Sequence, residues 1–293
     1  MGKSRREFLH VAARAGLLTA FAATTARHAL ADTPAAKVPQ PSPLSKNTMP
    51  APQNAQSAAD VDLARRIKAI SNVFEVGRPD PDYAYVEDLG DGRGYTVTQY
   101  GFCTYNEEVA QVINRYAQHV PDTHLKKFLP HLPPISDGTS TKALAGFPAA
   151  WRKEVKASPL LGTACDDEAD ALYLRPALAA AASAGVTSAI GKAIFYDTWL
   201  QHGASTDPDS LPTILERTIE ETGGVGASSE ADFLRTFLAI RKSVLHAPAN
   251  HETKEVWGAS AGRVDALRRL LDNNPDLAPP IEIANADVDV VVL

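Results

Sequence analysis

The stretch Tyr85–Cys103, YVEDLGDGRGYTVTQYGFC, gathers three acids (Glu87, Asp88, Asp91), one arginine (Arg93) and four glycines (Gly90, Gly92, Gly94, Gly101) within nineteen residues. Such a segment could be a metal loop, a phosphate cradle, a hairpin turn or a catalytic loop. An EF-hand loop needs oxygen ligands at alternate positions, Gly at the sixth and Glu at the twelfth. Counted from Asp80, the fifth position is Ala84, the sixth Tyr85 and the twelfth Asp91; counted from Asp88, the twelfth is Gln99. The spacing excludes that site. A phosphate loop opens a helix and is followed by Lys and Ser/Thr, whereas here a strand-like segment follows and acids precede. Turn chemistry remains, because Asp91-Gly92 is a hairpin dipeptide. A turn alone accounts for the glycines, but it does not require Glu87, Asp91 and Arg93 together.

A second carboxylate, Glu75, lies sixteen residues before Asp91. It falls in the last turn of an expected helix, where the negative end of the helix dipole disfavours an ionised acid. Val73 and Phe74 add apolar neighbours. Asp91, between glycines on an open turn, is expected to stay solvated and ionised. Two carboxylates in contrasting settings are what glycoside hydrolysis uses as acid and base. On these residues alone, a solvated helix-end acid at Glu75 is the favoured reading.

The elements that must position these groups follow from periodicity. Leu63, Ile67, Ile70 and Phe74 recur at helical spacing, so a helix is predicted over Asp60–Val76, with Asp60 as N-cap and Gly77 and Pro79 as stops. YAYVED and GYTVTQYGF alternate apolar and polar residues and read as strands around the turn LGDGRG. Further helices are predicted over Asn106–His119, Asp167–Ser183 (kinked or broken at Pro176), Val186–His202, Leu211–Glu221, Glu230–Leu245 and Ala261–Leu271. The final DVDVVVL reads as a short strand or a tail. The fold class is therefore mainly α (α+β). A small β element near the N-terminus and two lobes flanking a cleft are analogous to lysozyme.

The N-terminus adds an address. Ser4-Arg5-Arg6-Glu7-Phe8-Leu9 has the form of a twin-arginine export signal. An apolar Ala-rich stretch from Val11 to about Ala26 follows, then Ala29-Leu30-Ala31 as a small-x-small cleavage site. The expected organisation is a signal peptide at 1–31, a disordered Pro/Ala-rich linker at 32–59 and a two-lobed domain at 60–293. Residues 1–31 hold five Lys/Arg and one acid, so the remaining chain carries 24 basic and 34 acidic side chains, net −10. That charge disfavours nucleic acid and favours a cationic partner.

YAYVEDLGDGRGYT followed by GFC resembles the signature of the glycoside hydrolase family 46 chitosanases. FYDTWLQHG (195–203), FLAIRK (237–242), GRVDALRRLL (262–271) and LAPPI (277–281) agree in the same order. The resemblance implies an exported endo-chitosanase that inverts configuration at β-1,4 bonds of chitosan. It needs no metal or other cofactor and is expected to act as a monomer, without nucleic-acid or membrane partners after signal removal. Carried over by position, Glu75 is the general acid, Asp91 the general base, and Thr96 helps hold the attacking water. Asp197, Arg241 and Arg263 match a charged network behind the acid. Tyr85, Arg93, Glu108 and His251 match substrate-contacting positions, Glu108 standing where the family usually has Asp and Glu107 being its rival. Glu87 and Asp88 would orient Arg93 or bind a glucosamine ammonium. Cys103 and Cys165 suggest one disulfide in an exported chain, with two buried thiols as the alternative. His202, at a helix end, reads as packing or capping rather than catalysis. The competing functions are a lysozyme-like peptidoglycan hydrolase, whose anionic substrate suits the charge poorly, and a non-catalytic chitosan-binding protein.

Overall fold

The computed structural model describes residues 57–90, 92–132, 141–249, 251, 254–284 and 288–293. The expected signal peptide, nearly all of the expected linker and Asp91 lie outside them. Helix α1, Ala58–Val76, starts two residues before the expected position. Its N-cap is Ser57, not Asp60: Ser57 Oγ accepts from the Asp60 amide and donates to its carboxylate, at 3.1 and 2.6 Å. This is a reciprocal cap in which the acid sits one turn inside the helix. Gly77, at φ 76°, closes the other end by donating to the Val73 carbonyl, the left-handed cap that glycine adopts without a steric penalty.

After α1 the chain makes an antiparallel sheet of β1 (Val86–Asp88), β2 (Tyr95–Val97) and β3 (Phe102–Cys103). Glu87 pairs with Thr96, and Thr96 with Cys103. The segment expected as one strand, GYTVTQYGF, is thus two. Thr98 takes φ 59° and Gly101 φ 71°, and Thr98 Oγ1 accepts from the Tyr100 amide at 3.2 Å. A self-bonding threonine in the left-handed region turns the chain where alternation alone predicts continuation.

The remainder is helical: α2 (Glu108–His119), a 3-10 segment (His124–His131), α3 (Phe147–Ala157), α4 (Leu160–Ala169), α5 (Arg175–Ser183), α6 (Ala189–His202), α7 (Leu211–Thr222), α8 (Glu230–His246), α9 (Lys254–Ala259) and α10 (Gly262–Asn273). Between α4 and α5 one π-helical turn spans Asp170–Leu174, and Pro176 opens α5. Proline supplies no N–H and crowds the carbonyl four residues earlier, so a wider turn before it lets the chain continue instead of breaking. The final residues form a strand, β5 (Asp289–Val292), paired with β4 (Ile281–Ala284).

Two hydrophobic cores result. The smaller one joins the three-stranded sheet to α2, α3, α4 and the 3-10 segment through residues from Val86 to Ala169. The larger one joins α1 to α5–α8, α10 and the terminal hairpin. Helix α3 anchors the flank of β1. Trp151 is fully buried and donates Nε1 to the Tyr83 carbonyl at 2.8 Å, while Arg152 donates to the Val86 carbonyl at 2.7 Å. Burying one such aromatic is worth roughly 4–6 kcal/mol before entropy is counted. Tyr83 and Tyr100 both donate to Asp166 of α4, at 2.6 and 2.5 Å, which fastens the sheet's other side. The cores are bridged by the α1–β1 connection and by the α4–π–α5 run, and Lys68 of α1 pairs with Asp170 of the π turn at 3.0 Å.

Candidate active site

Glu75 occupies the last turn of α1, as expected, and is 2 % exposed. It is not a solvated helix-end acid. Arg263, from the start of α10, donates Nη2 to Glu75 Oε1 at 2.8 Å and to Asp197 Oδ1 at 3.0 Å. Asp197, in the middle of α6, also accepts from Arg241 Nη2 of α8 at 2.7 Å and from Ser71 Oγ of α1 at 3.1 Å. Four helices therefore meet on one buried run of charge, Glu75–Arg263–Asp197–Arg241. The three supporting residues expected from the sequence are brought together by direct contact. Phe74 has a different role from the one expected: its ring lies 5.2 Å from the Arg263 guanidinium and holds that cation in place.

The alternation of sign decides the electrostatics. Burial pushes Asp197 up, but Arg263 and Arg241 outweigh it, so its carboxyl titrates below the ordinary range. Burial lowers Arg263, yet Asp197 and Glu75 more than offset that and its pKa is raised. Arg241 is brought down to about 10, by burial first and despite Asp197. Charges this deep persist because each cation faces an anion.

Four participants were not among the expected site residues, and two of them, Ser71 and Gln201, each sit one helical turn from one that was. Ser71 precedes Glu75 by four residues. Gln201 follows Asp197 by four, and its Oε1 accepts from Arg241 Nη2 at 2.6 Å. His202 is buried; its Nε2 accepts from Arg241 Nε at 3.2 Å and its Nδ1 lies 2.7 Å from the Asp209 carbonyl. The packing role expected for His202 is found, with a hydrogen-bonded function inside it. Asp209 is reached through His202, and its carboxylate accepts from the Ala249 amide with both oxygens, at 3.0 and 2.8 Å. The signal for Ser71 and Gln201 was present in i,i+4 spacing.

The other half of the pair belongs to the β1–β2 loop. Asp91 itself lies outside the described residues. Its neighbours Gly90 and Gly92 take φ 70° and 81°, and Gly94 takes φ 71°. Gly94 has a further constraint, since a Cβ there would meet Thr104 Oγ1 at 2.3 Å. That hydroxyl is already engaged by the Tyr95 amide. Thr96 is fully buried in β2 with its Oγ1 3.8 Å from Cys103 Sγ. Arg93 is half-buried in the loop, and its carbonyl accepts from the Tyr105 amide at 3.2 Å. Tyr85 is buried immediately before β1. Glu108 opens α2, and its carboxylate accepts from the Cys103 amide at 2.9 Å and from Asn106 at 3.4 Å. Glu107 is exposed, as is His251.

The expected disulfide is corrected. Cys103 and Cys165 are separate buried thiols. Cys103 extends from β3 toward Thr96 and its Sγ donates to the Gly101 carbonyl at 3.4 Å, whereas Cys165 is packed inside α4 within the smaller core. Burial and the adjacent Asp166 charge push the Cys165 thiol well up, which leaves it an unreactive apolar group.

The fold is helical with a small sheet, and it buries the carboxylate Glu75 at a helix end, a setting in which glycoside hydrolases keep a general acid. Residues 69–281 match glycosyl hydrolase family 46, and the chain belongs to that family. A chitosanase of Bacillus subtilis (strain 168) is 37% identical over 227 residues, 76% of this chain and 82% of the relative. The crystal structure of a native chitosanase from Bacillus subtilis MY002 superposes with a TM-score of 0.70 at 36% identity, covering 79% of this chain and 98% of that one. A Gynuella sunshinyii family 46 chitosanase in complex with chitotetraose gives 0.68 at 37% identity, covering 81% and 99%.

Proposed function

We propose that this chain is an exported endo-chitosanase that cleaves β-1,4 bonds of chitosan with inversion. The observation that carries the reading is the buried Glu75–Arg263–Asp197–Arg241 run in a family 46 fold. In the proposed cycle protonated Glu75 donates to the leaving glycosidic oxygen while Asp91 removes a proton from water on the opposite face of the sugar. Thr96 holds that water. The route needs room for the water between the two carboxyl groups, roughly 6.5–9.5 Å in the bound state. After bond cleavage Glu75 is an anion, and Arg263 stands ready to stabilise it. Tyr85, Arg93, Glu108 and His251 are proposed as substrate contacts, and no metal or organic cofactor enters any step. Chitosan is a polycation, which suits a mature chain of net charge −10. The twin-arginine motif at Arg5-Arg6 supports export by that route, a signal peptide at 1–31 and action outside the cytoplasm; a linker at 32–59, a catalytic domain at 60–293 and action as a monomer complete the proposal.

The deciding experiment is product analysis on chitosans of graded acetylation, with NMR of the first-formed anomer. The expected result is release of short oligosaccharides in the inverted α form, with none released from peptidoglycan. Retention of configuration, or cleavage of cell walls in preference to chitosan, would sink the reading. Glu75→Gln is expected to cost about 10³-fold or more in kcat, within the range of a general acid's contribution, with an unchanged far-UV spectrum. Near-wild-type turnover in that variant would remove Glu75 as the acid.

A further inference from the structure

The connection between α8 and α10, residues 247–261, carries His251 and the short helix α9. It meets the buried charge network at three places. Asp209 grips the Ala249 amide with both carboxylate oxygens. Trp257 of α9 is buried and sets its ring edge-on to His202, with centroids 4.9 Å apart at 78°. Ser260 Oγ accepts from Gln201 Nε2 at 2.8 Å, while the same glutamine's Oε1 accepts from Arg241. Two of these attachments pass through His202, which touches Arg241 on one ring nitrogen and the Asp209 backbone on the other. Arg241 can only donate, so His202 Nε2 must be the acceptor, and the proton of the neutral ring resides on Nδ1, pointing at the Asp209 carbonyl. Only the neutral ring serves both partners. Burial, then the Arg241 cation beside it, holds its pKa well below the ordinary imidazole value.

We propose that His202 is a positioning residue that couples the 247–261 segment to the general acid, through Arg241, Asp197 and Arg263. The inference rests on the proposed chitosanase reading. His202 fixes the Arg241 guanidinium against Asp197, and that sets how Arg263 is shared between Asp197 and Glu75. The same imidazole, through Asp209 and Trp257, holds Ala249 and helix α9. The positions of Ala249 and α9 are thereby linked to Glu75 without any contact between His251 and the acid. The chemistry requires a lone pair at the Nε2 position and an N–H at the Nδ1 position, which no single amide side chain supplies together.

Two variants separate the requirements. In His202→Gln the amide oxygen reaches the Nε2 position and accepts from Arg241. In His202→Asn the shorter amide reaches the Nδ1 position and preserves the Asp209 contact only. Purified full-length chain, His202→Gln and His202→Asn are compared for kcat, KM and kcat–pH profile on fully deacetylated chitosan. The expected result is about a tenfold loss of kcat in His202→Asn, the size of one hydrogen bond to a charged group. Its alkaline limb should move upward, because Asp197, released from Arg241, draws Arg263 away from Glu75. His202→Gln should return kcat to within about threefold and restore the limb, while its KM rises because the Asp209 side is lost. If both variants lose thermal stability yet keep the wild-type kcat and limb, His202 is structural and the inference is overturned. Equal kcat losses in the two variants, with no difference in KM, would overturn the coupling equally. A wild-type chain inactive on chitosan would overturn this inference and the proposed function together, whereas an active wild type with unresponsive variants would overturn this inference alone.

Discussion

Glu75 ends a nineteen-residue helix, is nearly sealed from solvent, and is held at 2.8 Å by an arginine that a second carboxylate shares. The loop that carries Asp91 hangs instead from two three-residue strands and is shaped by glycines in the left-handed region. The side proposed for the acid is built from tertiary contacts across four helices, the side proposed for the base from local backbone geometry. The difference matches the two proposed tasks. A general acid must be recharged with a proton every turnover in a place where its charge is countered, which calls for a desolvated and rigid surround. A base that works on bulk-derived water needs reach and hydration, which a short loop provides. Damage to the two sides should therefore differ in kind: substitutions behind Glu75 endanger the whole fold, and substitutions in the loop endanger its geometry.

The largest effect that tests the contrast is expected from Asp197→Asn. It removes the anion between two buried guanidinium groups while keeping side-chain volume. Breaking a buried ion pair by removing one partner costs about 3–5 kcal/mol, so urea unfolding should shift by that amount and activity should fall with it. A variant as stable as the parent would mean that the network is not what secures this side of the site.

The acid's side was the less legible one. The helix bearing Glu75 could be read from Leu63, Ile67, Ile70 and Phe74, but its ion pair could not, because Arg263 lies 188 residues away. Family resemblance supplied Asp197, Arg241 and Arg263; periodicity could say only that Asp197 sits in an apolar helix. His202 and Gln201 escaped for the same reason, since their partners come from α8, α9, Asp209 and Ser260. On the loop side, the flanking alternation disclosed β1 and β2 directly, because hairpin pairing across a short connection is local. The β2–β3 turn was lost because Thr98 reads as a strand former while its hydroxyl stabilises a bend. Helix α3 is held by Trp151 against a distant carbonyl, and a packing anchor of that kind leaves little trace in periodicity. The cysteine pair misled because compartment argues for a bridge, whereas each thiol follows the packing of its own element.

Gly94→Ala should give an intermediate effect, and one that tests the loop. Its Cβ would fall 2.3 Å from a fully buried hydroxyl that is already bonded to Tyr95, at φ 71°. Gly90, at φ 70°, has open space around the same position. Gly90→Ala therefore carries the left-handed strain alone, about 1–2 kcal/mol, and Gly94→Ala adds a steric clash that Thr104 can relieve only by releasing the Tyr95 amide. The expected order is a lower melting temperature and a lower kcat for Gly94→Ala than for Gly90→Ala. Equal effects would show that backbone conformation alone shapes this side of the site.

The smallest effect returns to the helical side and uses pH. His202 is buried neutral, its pKa depressed by burial and by Arg241, whereas in the unfolded chain it titrates near its ordinary value of about 6.5. Above that pH neither state holds the proton and His202 contributes no pH dependence. As pH falls below it, the unfolded chain takes up a proton that the folded chain refuses, so folding stability drops by up to about 1.4 kcal/mol per pH unit until the folded-state pKa is reached. Asp197, with its depressed carboxyl, adds its own loss only at more acid pH, as pH falls through the ordinary carboxylate value and toward its folded one. Urea titrations at pH 7.5, 6.0 and 5.0 should therefore show stability already falling between 6.0 and 5.0. In His202→Gln the slope in that window should be shallower by the imidazole's share, while the carboxylate-linked loss at lower pH persists. Equal slopes in the two proteins would mean that the imidazole takes up its proton inside the folded chain, and with it that a charged ring can face Arg241.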